Sequence, residues 1–547
     1  MRNSGIKLIK SSRLRSNRKL DACSLAIGDK ANIIRFGKKR SYSSNQFDLK
    51  LETIIQQLNA LVPRFPMSGR EIEIIKEPSA FYDVLKKKIL SAQSNIFLSS
   101  LYIGRHQNEL VDCISDALRN NKNIRVSVLI DFFRGTREAP NNQCSASLLS
   151  PLVREFGKHR VNVRLYHTPH LSGLLEKIAP KRINEGWGLQ HTKIFGFDDE
   201  VILSGANLSQ DYFTNRQDRY YLFKNGSLSN YYFRIHESIS SISYQLHFSF
   251  KNRKGFYIDW PVSNKTCEPH LNFERFINDS SYLLEPVLRQ QELSSLDEFG
   301  DNSAFDTIVY PISQLTPLFK RDNDCSTEKP VILRLLSYLD LNSIKWWFTA
   351  GYFNMLPEFK TKLLESKASG TVITAAPEAN SFYRSPGLSK YIPEVYLLSL
   401  KKFLQDVWKK GKNDSISVYE WKRGVVNTVD GWSYHSKGLW LSAPEEEEPS
   451  MTVVGSSNYT ERAYLSDLEC NALIITKEPS LKKSMSLELE NFMKYSRQLD
   501  LNGFERKAQK GEGEERKETT SIENGNRESR HISWVAHLFF MFFHKKF

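Results

Sequence analysis

Gln190-His191-Thr192-Lys193-Ile194-Phe195-Gly196-Phe197-Asp198 and, far downstream, Tyr434-His435-Ser436-Lys437-Gly438-Leu439-Trp440 each set a histidine and a lysine two residues apart in an apolar run. Side chains of a strand alternate between its faces, so residues i and i+2 share one. An imidazole and an ammonium can then point together at one phosphoryl group. Each stretch supplies one base and one cation, and the two read as halves of a single phosphate-handling site.

The residues downstream of the two stretches repeat as well. Val201-Ile202-Leu203-Ser204-Gly205-Ala206-Asn207-Leu208-Ser209 matches Thr452-Val453-Val454-Gly455-Ser456-Ser457-Asn458-Tyr459-Thr460: an apolar strand, a glycine, small residues, an asparagine and a hydroxyl. An acid comes after each asparagine at the same interval, Asp218 after Asn207 and Glu469 after Asn458. Upstream, residues 95–102 resemble 344–350, residues 126–131 resemble 371–376, and residues 163–166 resemble 416–419. The order describes a duplicated α/β unit.

A chain of 547 residues, 40% hydrophobic and 12% aromatic, is too long for one core and fits two domains of roughly 200 residues. The first unit is expected over residues 46–270 and the second over 271–501, with acid-rich residues 293–306 connecting them. Residues 505–530 are dense in Glu, Lys, Arg and Gly and cannot bury enough surface to fold alone. Residues 502–547 therefore read as a polar linker followed by a short apolar tail.

The net charge of +14 is concentrated at one end: residues 1–40 hold twelve Lys or Arg against Asp21 and Asp29, which leaves about +4 for the rest. A nearly neutral body argues against a nucleic-acid partner, which binds mainly through phosphate neutralisation. Rich in Arg, Lys and Ser and poor in acids, residues 1–45 look like a mitochondrial presequence. Six scattered cysteines show no Cys-x-x-Cys pair and no metal-type spacing, which suggests buried thiols in a reducing compartment. No run of eighteen apolar residues occurs, and the run from Trp534 to Phe543 is about half the length a span needs.

Transfer at a phosphodiester needs a nucleophile, a proton donor for the leaving group, and cations or dipoles around the nonbridging oxygens. Two His-Lys-Asn sets provide these without a metal: one imidazole attacks, the other donates, and a covalent phosphohistidine lies between. His435 is the only histidine from residue 271 to 530, and it falls on the duplicated strand. Asn207, Asn458 and Ser209 are candidates for phosphate contact. Asp218 and Glu469 are candidates to hold an imidazole Nδ1–H and so fix which nitrogen faces substrate. Asp198 has no matching carboxylate, since Ser442 stands at the counterpart position, and the pattern leaves a structural and a catalytic role equally open.

His-x-Lys-x-x-x-x-Asp in duplicate, with Gly and Asn downstream, resembles the phospholipase D superfamily across residues 46–501. That resemblance implies an α/β fold of two repeated α/β/α units, each a mixed β-sheet flanked by helices, with the active site at their pseudo-twofold interface. It places His191, Lys193 and Asp198 in the first catalytic set and His435 with Lys437 in the second. It implies no required cofactor and no metal ligand, and leaves room for stimulation by a divalent cation. Departures are the loss of the second Asp at Ser442 and an inserted loop, residues 443–449, with four consecutive glutamates.

Within the superfamily, residues 189–219, 433–440 and 455–463 are similar to a phosphatidyl-transferring branch of the mitochondrial inner membrane's matrix side. The implied partners are CDP-diacylglycerol, glycerol 3-phosphate and, peripherally, the membrane surface; the oligomeric state is left open. His191 would take the phosphatidyl group as His435 protonates departing CMP, and the acceptor's 1-hydroxyl, deprotonated by His435, would displace His191. A hydrolase acting on lipid or nucleic-acid phosphodiesters is the alternative, and a noncatalytic relative the third reading. Preference for a phosphorylated acceptor over water requires a second anion site, for which Arg105, Arg134, Arg137, Arg216, Arg219, Arg384 and Arg462 are the candidates.

Overall fold

Runs of β-branched and aromatic residues form two nine-stranded mixed sheets in the computed structural model, which describes residues 49–171, 184–289, 305–340, 343–504, 530 and 532–543. The expected presequence, nearly all of the polar stretch 505–530 and most of the acid-rich connection lie outside those residues. Across the first sheet the order is Tyr244–Phe248, Val161–Tyr166, Arg125–Asp131, Asn95–Ser99, Ile194–Phe197, Glu200–Ser204, Tyr220–Phe223 and Ile72–Ile75. Across the second it is Ser496–Gln498, Ile416–Trp421, Ser369–Ala375, Lys345–Ala350, Lys437–Ser442, Pro449–Gly455, Glu469–Thr476 and Thr307–Gln314. The eight positions match one for one, with the same two parallel pairings in each sheet and antiparallel pairing elsewhere. The duplicated α/β architecture is therefore present strand by strand.

Each sheet gains one further edge strand. Phe256–Asp259 joins the first beside Tyr244–Phe248, and Phe65–Met67 joins the second beside Thr307–Gln314. Residues 49–67, expected in the first unit, thus lie on the second sheet. The helix Leu49–Asn59 turns Leu51, Ile54, Ile55 and Leu58 onto Val331, Leu335 and their neighbours, because its apolar stripe needs a partner. The strand after it covers an open sheet edge.

Helices Pro78–Ser91, Asn108–Asn120 and Ser145–Phe156 cover the outer face of the first sheet, and Glu328–Leu336, Pro357–Glu365 and Ile392–Lys409 that of the second. A third apolar cluster joins the sheets: Leu203 and Tyr221 of the first meet Val454, Cys470 and Ile474 of the second, with helices Gly226–Ser240, Phe273–Arg289 and Pro479–Met493. Burial on both sides explains why strands such as Glu469–Thr476, buried at every position, read as continuous apolar runs. The histidine–lysine stretches enter the interior strands Ile194–Phe197 and Lys437–Ser442 at the edge of this shared core. Among the described residues no helix is long and apolar enough to cross a membrane.

Candidate active site at the junction of the halves

Each histidine is stitched by a backbone hydrogen bond to the residue that precedes the other half's acid. Ser433 and Tyr434 pair in parallel with Arg216 and Gln217, and the His435 amide donates to the Gln217 carbonyl at 2.9 Å. In mirror fashion Gln190 bridges Leu468, and the His191 amide donates to the Leu468 carbonyl at 3.0 Å. Each histidine therefore lies beside the acid next in sequence to its bridge partner. His435 Nδ1 is 2.7 Å from Asp218 Oδ2, and His191 Nδ1 is 2.8 Å from Glu469 Oε1. Where the acid is ionised it can only accept, which puts the proton on Nδ1 and leaves the Nε2 lone pair free; at His435 the same Nδ1 also lies 2.8 Å from Lys437 Nζ.

The lysines complete two compact groups. Lys193 Nζ donates to the His191 carbonyl at 2.6 Å and Lys437 Nζ to the His435 carbonyl at 2.8 Å, with Lys437 also 3.8 Å from Asp218. Gly205 makes this possible: a Cβ there would sit 2.6 Å from Asp218 Oδ1 and 2.7 Å from Lys437 Nζ. Burial draws the Lys193 ammonium down to about 7 against the pull of Glu469, and lowers Lys437 against Asp218. Burial likewise raises Glu469 to about 7 and raises Asp218, each opposed first by a lysine.

Both imidazoles are driven well below the ordinary histidine range, first by burial and then by the nearest lysine. Charge on His191 counts against charge on His435, so the two rings share one electrostatic environment. At neutral pH they are neutral, the form in which Nε2 is a nucleophile or a base. Only 7% of His191 and 5% of His435 is exposed, a setting in which fixed charges act strongly.

Asn207 and Asn458 each carry a buried side-chain oxygen with no hydrogen-bond partner. The Asn207 amide nitrogen donates to the Tyr212 hydroxyl at 3.2 Å, and that hydroxyl lies 3.3 Å from His435 Nε2. Ser209 stands one step away: its hydroxyl donates to Asp211 at 2.5 Å and lies 3.3 Å from the Tyr102 hydroxyl, on the wall of a cavity of about 240 Å3. No trio of His, Cys, Asp or Glu among the described residues is arranged to hold a metal ion. Among them Cys113, Cys144, Cys267, Cys325 and Cys470 are free thiols.

Asp198 corrects the expected catalytic set. It occupies the two-residue turn after Ile194–Phe197 with φ of 50°, a left-handed position that Asp tolerates. Lys193 adjoins the Ser99 end of the neighbouring strand and Asp198 the Asn95 end, five residues or about 16 Å along the chain. There its carboxylate accepts from the amides of Gln93, Ser94 and Asn95 and from the Ser94 hydroxyl, at 2.7–2.9 Å. Burial would raise this carboxyl, but those hydrogen bonds hold it below its usual value. Ser442 does the same work in the second half, accepting from the Lys345 amide at 3.0 Å. The shared position is a strand-end cap.

The inserted glutamates lie at that same remote end, where Glu446, Glu447 and Glu448 pair with Lys482, Lys345 and Lys483. Of the arginine candidates, Arg219 is fully buried and committed to Glu488 at 2.9 Å, and Arg137 lies 3.5 Å from Glu138. Sequence reasoning missed the exchange of acids between halves, Tyr212, and a reversed ion pair. Four and nine residues after the asparagine stand Asp211 and Arg216 in the first half, 2.6 Å apart, but Arg462 and Asp467 in the second, 3.5 Å apart. The equal spacing was the available signal.

No family model matches the chain. It is 51% identical over 498 residues to CDP-diacylglycerol–glycerol-3-phosphate 3-phosphatidyltransferase of Saccharomyces cerevisiae, covering 89% of this chain and 95% of that one. The mitochondrial protein of that name from Homo sapiens is 32% identical over 462 residues, covering 80% of this chain and 79% of its own. Among solved structures, phosphatidylserine synthase of Haemophilus influenzae superposes with a TM-score of 0.62 at 20% identity, covering 82% of this chain and 91% of that one. That likeness speaks for the fold.

Proposed function

The chain belongs to the CDP-diacylglycerol–glycerol-3-phosphate 3-phosphatidyltransferase family, and from that membership we propose that it moves the phosphatidyl group of CDP-diacylglycerol to glycerol 3-phosphate, releasing CMP. The product is phosphatidylglycerophosphate. The observation that carries the mechanism is the exchanged pair of imidazole–carboxylate couples, His191 with Glu469 and His435 with Asp218.

In this reading the anionic diphosphate of the donor, on binding, offsets the burial and nearby cations that keep His435 neutral in the empty site, and the ring takes up a proton. His191 Nε2 then attacks the phosphatidyl phosphorus while the bond to the CMP oxygen breaks, and His435 gives that oxygen its proton. The phosphohistidine is cationic at its ring, and Glu469 holds its Nδ1–H. Neutral His435 then takes the proton of the acceptor's 1-hydroxyl, the hydroxyl oxygen bonds to phosphorus, and the P–N bond to His191 breaks. Lys193, Lys437, Asn207 and Asn458 meet the nonbridging oxygens, where charge develops. No cofactor enters this sequence of steps.

The donor carries two acyl chains and stays in a bilayer, so the cleft must meet the membrane surface. Support comes from the exposed Trp534, Leu538 and Met541 of helix Trp534–Phe543, beside which Lys402 lies over the Phe540 ring at 3.6 Å. The vertebrate relatives are named mitochondrial, which favours the matrix face of the inner membrane as the site of work.

The test incubates the protein with CDP-diacylglycerol, with and without glycerol 3-phosphate, and follows CMP. Acceptor-dependent release with phosphatidylglycerophosphate as product is expected, together with a phosphatidyl-protein adduct that His191→Ala abolishes. CMP release indifferent to the acceptor, with phosphatidate as product, would instead identify a hydrolase.

A further inference from the structure

The reversed ion pair makes the two ends of the site chemically unlike. Two residues before Asp218, the acid of His435, stands Arg216; two residues before Glu469, the acid of His191, stands Asp467. Arg216 depresses protonation of His435, whereas Asp467 favours that of His191. Both are halves of ion pairs, with Asp211 and with Arg462, but Arg216 outweighs its partner at His435 and Asp467 outweighs Arg462 at His191, so the His435 side is the more positive of the two. Anions that arrive at or leave from phosphorus opposite His191 belong there.

The cavity of about 240 Å3 opens on that side. Tyr102, Arg105, His106, Arg134, Ser209 and Asp211 line it. Asp211 is the partner of Arg216, whose guanidinium lies 4.4 Å from the Tyr212 ring, and the Tyr212 hydroxyl is 3.3 Å from His435 Nε2. Asp211, Arg216 and Tyr212 thus run in contact from the cavity wall to the reacting nitrogen. Arg134 pairs with Glu138 at 3.0 Å and stacks over Tyr102 at 3.9 Å. Arg105 is exposed and donates to His106 at 2.9 Å, and among the described residues it has no carboxylate partner.

That wall suits a small phosphorylated polyol better than a nucleobase. Arg134 already occupies one face of Tyr102, which with His106 is the only aromatic side chain among the described residues lining the cavity, so the wall offers a base at most the other face of that ring. Two guanidiniums can grip a phosphate dianion, and the hydroxyls of Tyr102 and Ser209 with the Asp211 carboxylate can address hydroxyl groups. Resting on the transferase reading, we infer that this cavity is the acceptor subsite: Arg105 and Arg134 hold the acceptor's phosphate while its free hydroxyl reaches His435.

CMP, also a phosphate monoester, departs from the same side, so the experiment must separate the two. Steady-state transfer is measured for wild type, Arg105→Gln and Arg105→Lys with glycerol 3-phosphate varied, and again with CMP as inhibitor. Arg105→Gln is expected to raise KM for glycerol 3-phosphate about tenfold with kcat within about twofold, the loss of one charged contact to phosphate. Arg105→Lys should recover part of it, and inhibition by CMP should stay within about twofold. An unchanged KM for glycerol 3-phosphate, or an equal loss for CMP, overturns the assignment. Wild-type protein that transfers nothing to glycerol 3-phosphate would bring down the transferase reading itself.

Discussion

Glu469 and Asp218 differ from ordinary buried acids because each spends its charge on a histidine from the other half of the chain. Glu469→Gln and Asp218→Asn keep shape but can present an amide N–H to Nδ1, which favours the wrong tautomer. Each should lower kcat by roughly 10²-fold or more while leaving the thermal midpoint close to wild type. Stopped assays of CMP release beside calorimetry check this, and near-normal turnover would remove the acid from the site. Asp198→Ala behaves in the opposite way: kcat per folded molecule is retained, while stability falls by about 1–3 kcal/mol as the amides of residues 93–95 lose their acceptor. The histidines, lysines and acids were legible because duplication repeats their intervals. The crossing of acids was not, since spacing along a chain does not say which half a side chain will face.

Arg219 is the element-scale counterpart of that crossing. It extends from the first sheet into the second half, bonding Glu488, the Val453 carbonyl and the Thr452 hydroxyl at 2.7–3.1 Å and stacking on Trp440 at 3.8 Å. Gly438 admits it, since a Cβ there would lie 1.9 Å from the guanidinium. Arg219→Ala leaves Glu488 charged and buried, and a loss of about 3–5 kcal/mol in urea unfolding is expected. In the first half, His236 of helix Gly226–Ser240 is fully buried between the hydroxyls of Ser99 and Ser127, each at 2.8 Å, and burial lowers it to about 3. Its folded-state value lies below the unfolded one of about 6.5, so the unfolded chain binds the extra proton. Stability should therefore fall as pH drops from about 6.5 towards 3. His236→Gln should flatten that slope in thermal midpoints taken at pH 5 and 7.

For the whole molecule, duplication predicted the repeated strand order correctly, because hydrophobic runs and their turn signals survive in both halves. The division of the chain into consecutive units describes its packing less well. Residues 49–67 pack on the second sheet, and one apolar cluster joins both sheets, since strands buried on two faces need a partner from beyond their own half. A site assembled from both halves cannot survive in either alone. Its chemistry requires His191 and His435 to meet across a single phosphorus, and a crystal structure with vanadate, which adopts the five-coordinate geometry of phosphoryl transfer, would show whether they do. One vanadium atom with the two Nε2 atoms on opposite apical sides is expected. Vanadate bound to one ring alone, or rings too far apart to share it, would refute the two-histidine mechanism.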